Sequence, residues 1–359
     1  MSVLQELMSQ VASRHLSTEG VARRGLPFSR VVIMGAGQRG SCMKAYFEGL
    51  GCRVLGFIDN NPAKQGGLHD GLPIRSVAES DGLHPDVPVF IASHHWKVIS
   101  AQLLRSGRTG FYVMPGLSFY FMPDIMAARA KEVHAVFDLL ADDDSRAVFA
   151  AIVQAYATGD DGCYAVSGYA QYHHPQVRPL PGDVVIDGGA FTGDTAAGFA
   201  ACVGSAGQIV AFEPFADSHA ALEHKAAGLC CPCACVNRAL WSDERTLRFA
   251  ANADAPAGNA VASHGAVEVR TTTIDAVADD LDLHSVDLVK LDVEGAEMEA
   301  LVGARRTIER FRPRLQVCLY HSIEDLWRLP LYLAENHPGY RYYLGHHATD
   351  PHETVLYAV

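Results

Sequence analysis

Two acids, Asp187 and Glu213, stand 26 residues apart, each closing an apolar run: Val184-Val185-Ile186 before the first, Ile209-Val210-Ala211-Phe212 before the second. Between them Gly188-Gly189-Ala190-Phe191-Thr192-Gly193-Asp194-Thr195 turns and opens a helix. Glycines at 189 and 193 let a backbone approach a ligand closely. A helix N-terminus has free N–H groups, and an acid at the next strand's tip can pair with ribose hydroxyls. This is the chemistry of an adenosyl grip. A dinucleotide turn reads G-x-G-x-x-G and seats pyrophosphate on the helix. Here the order is D-x-G-x-x-x-G, with an acid where phosphate would be repelled. The ligand class stays open at this level, although S-adenosylmethionine, with its sulfonium and ammonium, meets the charge requirement.

The elements that position these residues form a two-part chain. Its 359 residues suffice for two domains with separate cores, and 49% hydrophobic with 19% charged residues describes a globular protein. No apolar run reaches membrane-span length and Met1–Leu16 lacks a signal-peptide pattern, so a cytoplasmic address without membrane partners is expected. A net charge of −12 without long basic runs disfavours nucleic acid and favours small molecules. Nine cysteines, an odd number, argue against a disulfide framework, and the Cys230–Cys235 cluster lacks a second ligand pair at zinc-finger spacing.

Residues 1–26 read as an amphipathic helix. Val31–Met34, Arg53–Ile58, Val89–Ser93 and Gly110–Met114 read as strands of an N-terminal Rossmann-like domain over 1–125. A helical connector and cofactor-covering segment follows over 126–180, with Asp142–Ser145 as a helix cap. From 181 to 359, strands at Val184–Asp187, Ile209–Glu213, Ala234–Ala239, Val286–Asp292 and Leu315–Tyr320 alternate with helices, and Tyr340–Gly345 with Thr354–Val359 suggests an antiparallel pair. The fold class is α/β with two doubly wound Rossmann-like domains.

The set Asp187–Thr195, Phe212-Glu213-Pro214, Ala239-Leu240, Thr273-Ile274-Asp275 and Lys290-Leu291-Asp292-Val293-Glu294-Gly295-Ala296-Glu297 resembles the FkbM family of S-adenosylmethionine-dependent O-methyltransferases. Gln171-Tyr172 upstream and Tyr320–Trp327 downstream extend the resemblance over roughly 130–359. It implies a seven-stranded class I methyltransferase sheet and methylation of a hydroxyl on a saccharide, nucleotide-sugar or related small molecule. Under it, Gly189, Ala190, Phe191, Gly193, Asp194 and Thr195 form the cofactor loop, and Asp187 orients the amino group. Glu213 with Pro214 holds the ribose, Ala239 and Leu240 wall the adenine, and Tyr172 folds back to close the site. An unpaired buried acid is expensive, so Glu213 at a strand end asks for a ligand.

Lys290, Asp292 and Glu294 would share one side of a strand at the carboxyl edge, where Gly295 marks a turn; a Lys–Asp salt bridge bracing that turn is the structural alternative. Methyl transfer to an alcohol needs alignment and a base within hydrogen-bond reach. Asp292 and His321 are the candidates, with Lys290 and Glu294 beside them, and His321 has the ordinary pKa closest to neutrality. His173-His174 and His346-His347 are further imidazoles that could converge there with Asp292 or Glu294 on a divalent cation. No spacing demands one, and no metal is expected.

In the first domain, Gly35-Ala36-Gly37-Gln38-Arg39-Gly40 is a complete G-x-G-x-x-G between strand and helix, and Asp59 follows 19 residues after Gly40. The segment Gly56–Gly66 with Gly71–Ile74 resembles the N-terminal domain of sugar-nucleotide-modifying enzymes, which implies a nucleotide-sugar or NAD(P) pocket at Gly35, Gly37, Gly40 and Asp59. A role in homodimerisation is the alternative. No Tyr-x-x-x-Lys follows, which disfavours hydride chemistry. Two other functions compete with methyl transfer: an NAD(P)- or nucleotide-sugar-dependent enzyme centred on this domain, and a non-catalytic S-adenosylmethionine-binding protein.

Overall fold

The computed structural model describes residues 28–93, 95–113, 123–158, 161–249 and 267–359. The helix expected over 1–26 lies outside them. The chain divides into two compact units, Met1–Ala128 with Ala151–Cys163, and Arg129–Ala150 with Tyr164–Val359. The stretch expected to be one connector is therefore divided between the two.

In the first unit, β1 (Arg30–Met34), β2 (Arg53–Ile58), β3 (Leu68–His69), β4 (Leu72–Arg75), β5 (Val89–Ile91) and β6 (Phe111–Val113) form a sheet in the order β3-β4-β2-β1-β5-β6. All neighbours are parallel except β3 and β4. Val31, Ile33, Phe47, Phe57 and Phe90 fill one core cluster, and Val32, Met34, Val89 and Leu103 belong to another. A strand buried on both faces reads as an uninterrupted apolar run, which is why Val31–Met34 is legible in the sequence. The β3–β4 hairpin was not expected, because two- and four-residue strands with a proline at 73 show no period.

In the second unit, seven strands are ordered β15-β16-β14-β13-β7-β8-β9. They are β7 (Val184–Gly188), β8 (Gln208–Phe212), β9 (Cys233–Val236), β13 (Leu288–Leu291), β14 (Arg314–Cys318), β15 (Tyr342–His346) and β16 (Thr354–Ala358). Only β16 runs against its sheet neighbours. The strand order reverses between β7 and β13, the switch point where open α/β sheets bind ligands at the carboxyl ends. A small separate sheet joins β10 (Ala239–Leu240), β12 (Val267–Thr272) and β11 (Thr246–Phe249).

The helix Ala130–Leu139 packs against the helix Asp325–Asn336, whose Leu326, Trp327, Leu329 and Leu333 are buried. Trp327 is therefore part of the core. Asp142 Oδ1 accepts from Ser145 N at 2.8 Å and caps the helix Asp143–Thr158. No described helix is long and apolar enough to cross a membrane.

Candidate functional site

The tips of β7, β8 and β13 are laced together by backbone. Phe212 O accepts from Gly189 N at 3.1 Å and Ala190 N at 2.9 Å, and Gly188 O accepts from Asp292 N at 3.1 Å. The N–H groups of Gly189 and Ala190, ahead of the helix that starts at Asp194, are thus engaged within the protein. Gly189 adopts φ +76°, and a Cβ there would fall 1.8 Å from Asp292 O. Its lack of a side chain first allows two backbones to meet.

Beneath this loop, Asp187 and Lys290 pair in register on adjacent strands. Lys290 Nζ lies 3.1 Å from Asp187 Oδ1 and donates to Gly188 O at 3.0 Å and Gly189 O at 2.9 Å. Thr195 Oγ1 donates to Asp187 Oδ2 at 2.7 Å. Burial works against the lysine's charge, but Asp187 and then Asp292 outweigh it and hold its pKa above the ordinary value. Lys290, expected among the catalytic groups, braces the glycine loop from inside. The ion pair of Lys290 is made with Asp187 on the neighbouring strand, and not with Asp292 across the turn.

Glu213 sits at the tip of β8 with 4% of its surface exposed. Burial pushes its carboxyl up to about 7, against hydrogen bonds from the Phe215 and Phe191 backbone; the Phe215 N–H donates at 2.9 Å. Phe191 itself is exposed in a left-handed conformation, φ +47°. Asp194 begins the helix Asp194–Val203 and pairs at the surface with Lys225, which holds its pKa low. Leu240, buried beside Ala239, packs where a Cβ on Gly188 would stand 2.7 Å from its Cδ1. Pro214 is half-buried next to Glu213.

The tips of β13 and β14 carry a group of acids around one imidazole. Asp292 Oδ2 accepts from Tyr172 Oη at 2.9 Å, and Asp292 Oδ1 accepts from Tyr320 Oη at 2.8 Å. His321 Nε2 lies 3.4 Å from Asp292 Oδ1 and 3.6 Å from Glu294 Oε2, and His321 Nδ1 lies 2.9 Å from Glu297 Oε1. Burial raises the Asp292 carboxyl, but Lys290, His321 and the two phenols together hold it below the ordinary range. Burial lowers His321, yet Glu297, Asp292 and Glu294 prevail and lift it to about 9. Burial lifts Glu294 to about 7. Glu294 at φ +55° and Gly295 at φ +92° make the turn that folds this acid back on the imidazole.

Tyr172 is part of the wall of this group. Gln316 Nε2 donates to its carbonyl at 2.8 Å, and Tyr357 Oη accepts from its N–H at 3.1 Å. The residue itself is buried at φ +64°. Three further residues join that no role had been given. Glu297 opens the helix Glu297–Val302 just after the Glu294-Gly295 turn, and Tyr320 directly precedes His321. Glu353, hydrogen-bonded by Gln171, also stands in the field of Asp292. The first two were visible in the motif; nothing marked Glu353.

The other imidazoles pack elsewhere. His174 lies against Tyr343 and Tyr357 at ring-centroid distances of 4.6 and 5.0 Å. His347 Nε2 is 3.0 Å from Tyr357 Oη, and His346 Nδ1 is 2.8 Å from Thr354 Oγ1. In the first unit, Asp59 Oδ2 accepts from Ala36 N at 2.9 Å and Oδ1 accepts from Asn61 N at 2.9 Å. Asp59, expected in a nucleotide-sugar or NAD(P) pocket, hydrogen-bonds the glycine turn. Gly35 and Gly40 are required by packing, since their Cβ atoms would fall 2.8 Å from Ala92 O and 2.1 Å from Gly35 O; Gly37 alone faces open space. His94, which with His95 and Trp96 directly follows the strand expected to end at Ser93 and could line this pocket, lies outside the described residues.

Comparison with known proteins bears on the second unit most directly. Residues 187–348 match the methyltransferase FkbM domain. Among solved structures, the chain resembles methyltransferase FkbM from Methylobacillus flagellatus KT over 99% of each chain, with a TM-score of 0.72 at 20% identity, a likeness of fold. A weaker match is to the fibrillarin of Aeropyrum pernix, which was determined with bound S-adenosyl-L-methionine. It covers 52% of this chain and 71% of that one, with a TM-score of 0.34 at 14% identity. No curated protein matches the chain. The glycine loop and the strand-tip acids fall within residues 187–348, the part of the chain that is similar to the methyltransferase FkbM domain.

Proposed function

We propose that the protein is an S-adenosylmethionine-dependent O-methyltransferase acting on a hydroxyl of a saccharide, nucleotide-sugar or related small molecule. The observation that carries this reading is Glu213, a buried carboxylate without an ion-pair partner among the described residues, at the tip of β8 next to the β7 loop. Such a group is costly unless donors reach it, and a pair of ribose hydroxyls supplies two. Phe191, exposed on the loop, covers an adenosyl group held there. The cofactor, when bound, supplies an electrophilic methyl on a sulfonium.

Support for a hydroxyl acceptor comes from the tips of β13 and β14. Asp292 is oriented by two phenols and its side chain remains 22% exposed, while His321 stands beside it. Asp292, held ionised, lines the place where an acceptor's hydroxyl must give up its proton, and His321 stands behind it. Asp187 and Lys290 act from below, holding the loop between the two halves of the site.

Calorimetry with S-adenosylmethionine, its demethylated product and NAD tests the cofactor. Binding of the first two at one site, lost in Glu213→Ala, is expected; NAD binding without S-adenosylmethionine binding would sink the reading. Asp292→Ala and His321→Ala should keep cofactor binding and lose turnover. A wild-type protein that binds the cofactor but methylates nothing across a panel of glycans and nucleotide-sugars would be a sensor and not an enzyme.

A further inference from the structure

Asp292, Glu297 and His321 each offer one ligand-type atom to a group in which all such atoms lie within 4.8 Å of one another. They come from three places in the second unit: the end of β13, the first residue of the helix Glu297–Val302, and the segment after β14. Glu297 is 1% exposed. Its Oε1 accepts from Val293 N at 2.9 Å, and its Oε2 has no hydrogen-bond partner. The His321 side chain is 9% exposed, and neither ring nitrogen is in line for a hydrogen bond, although carboxylate oxygens stand 2.9 and 3.4 Å away.

Charge makes the same point. Three carboxylates, with Glu294 as the third, surround one imidazole, so negative charge is left over even when the ring is cationic. The nearby Lys290 has its donors engaged with Asp187 and two loop carbonyls. Buried charges need a compensating partner, and none of the described cations supplies it fully.

We propose that Asp292, Glu297 and His321 form a divalent-cation site, with Glu294 at its rim. Carboxylate oxygens mixed with one imidazole nitrogen suit Mn²⁺ or Zn²⁺ better than an all-oxygen cation. Ligand bonds of ~2.1 Å hold neighbouring donors roughly 3 to 4 Å apart, so the three side chains close in by about an ångström or less. The outer partners are in place: Tyr172 and Tyr320 orient Asp292, and Val293 N orients Glu297. Asp292 and Glu294, 22% and 37% exposed, leave a way in from solvent. Three protein ligands leave positions open for water or an acceptor hydroxyl, which the cation orients and polarises. That use rests on the methyltransferase reading; the site itself does not.

The test uses the full chain, stripped with a chelator and free of any cofactor. Titrated with MnCl₂, it should bind one equivalent, and pulsed electron paramagnetic resonance of the bound Mn²⁺ should show nitrogen coupling from one imidazole. His321→Ala should abolish that coupling and weaken Mn²⁺ about tenfold or more, as should Glu297→Gln in affinity, whereas Glu213→Ala should bind Mn²⁺ as the wild type does. Absence of saturable Mn²⁺ binding, absence of nitrogen coupling, or unchanged affinity in His321→Ala would overturn the proposal. The wild-type spectrum reads the ligand directly, so a variant that fails to fold cannot mask the answer. Calorimetry with S-adenosylmethionine on the same protein reports separately on the adenosyl site, which keeps the two failures apart.

Discussion

Asp187 and Lys290 face each other on neighbouring parallel strands, Nζ to Oδ1 at 3.1 Å, with 0% and 1% of their side chains exposed. Breaking a buried pair from one side leaves an uncompensated charge, which costs roughly 3–5 kcal/mol. Lys290→Met should therefore destabilise the second unit by about that much, and Asp187→Asn combined with Lys290→Met should recover a large part. Urea unfolding followed by the fluorescence of Trp241 and Trp327 measures both. An unchanged midpoint in the single variant would remove the pairing argument.

The proposed ribose contact of Glu213 predicts a cofactor affinity that depends on pH. Its carboxyl is pushed up to about 7 by burial, and only the ionised form accepts from two ribose hydroxyls. Affinity for S-adenosylmethionine should rise as pH increases through about 7. Glu213→Gln should flatten that dependence and weaken binding by roughly 10- to 100-fold, the scale of hydrogen bonds to a charged group. Calorimetry between pH 6 and 8 reads the slope; an equal slope in the variant would contradict the assignment.

Tyr320 offers a narrower probe, because its hydroxyl donates to Asp292 Oδ1 at 2.8 Å. Tyr320→Phe removes one orienting bond and little volume. Turnover should fall roughly 10-fold or more while the affinity for S-adenosylmethionine stays within about twofold, since a charged hydrogen bond is worth ~1.5–3 kcal/mol. Equal loss in both would place Tyr320 in the cofactor pocket instead.

His346 makes stability fall in acid. Burial lowers its pKa to about 4, below the roughly 6.5 of an unfolded chain. A group depressed in this way stabilises fully above the unfolded value, and the contribution is lost as pH drops from about 6.5 toward 4. The loss is roughly 3 kcal/mol at the acid end. His347, also lowered to about 4, adds in the same direction. Urea midpoints from pH 7 to 4.5 should decline, and His346→Gln should decline less; parallel curves would rule the imidazole out.

The parts of this site that could be read from sequence are those whose cause is local. Val184–Ile186 and Ile209–Phe212 are buried on both faces, so their apolar runs announce central strands, and an acid directly after such a run must lie at a strand tip. Lys290 shows where that reasoning stops. Its spacing to Asp292 is right for a shared face, but its partner depends on β13 lying beside β7, a fact of topology that sets Lys290 opposite Asp187. Glu297 needed the same knowledge, because His321 reaches it from another strand. Glu353 had no signal at all: it comes from the turn before β16, in a left-handed conformation at φ +64°. In the first unit the motif predicted the glycine turn correctly, while Asp59 bonded to the turn's own backbone.

The placement of β16 between β14 and β15 means that the order of synthesis and the order in the sheet disagree. A ribosome delivers β14 and β15 before the strand that must separate them, so until Thr354–Ala358 emerges those two have no way to join. Tyr357, which receives the Tyr172 N–H, and Glu353, which receives Gln171, arrive in that same last segment. A nascent chain can therefore complete the β7 loop early, but the wall that Tyr172 forms beside Asp292 is braced only once this segment has emerged, and a stalled chain would present open strand edges to its neighbours.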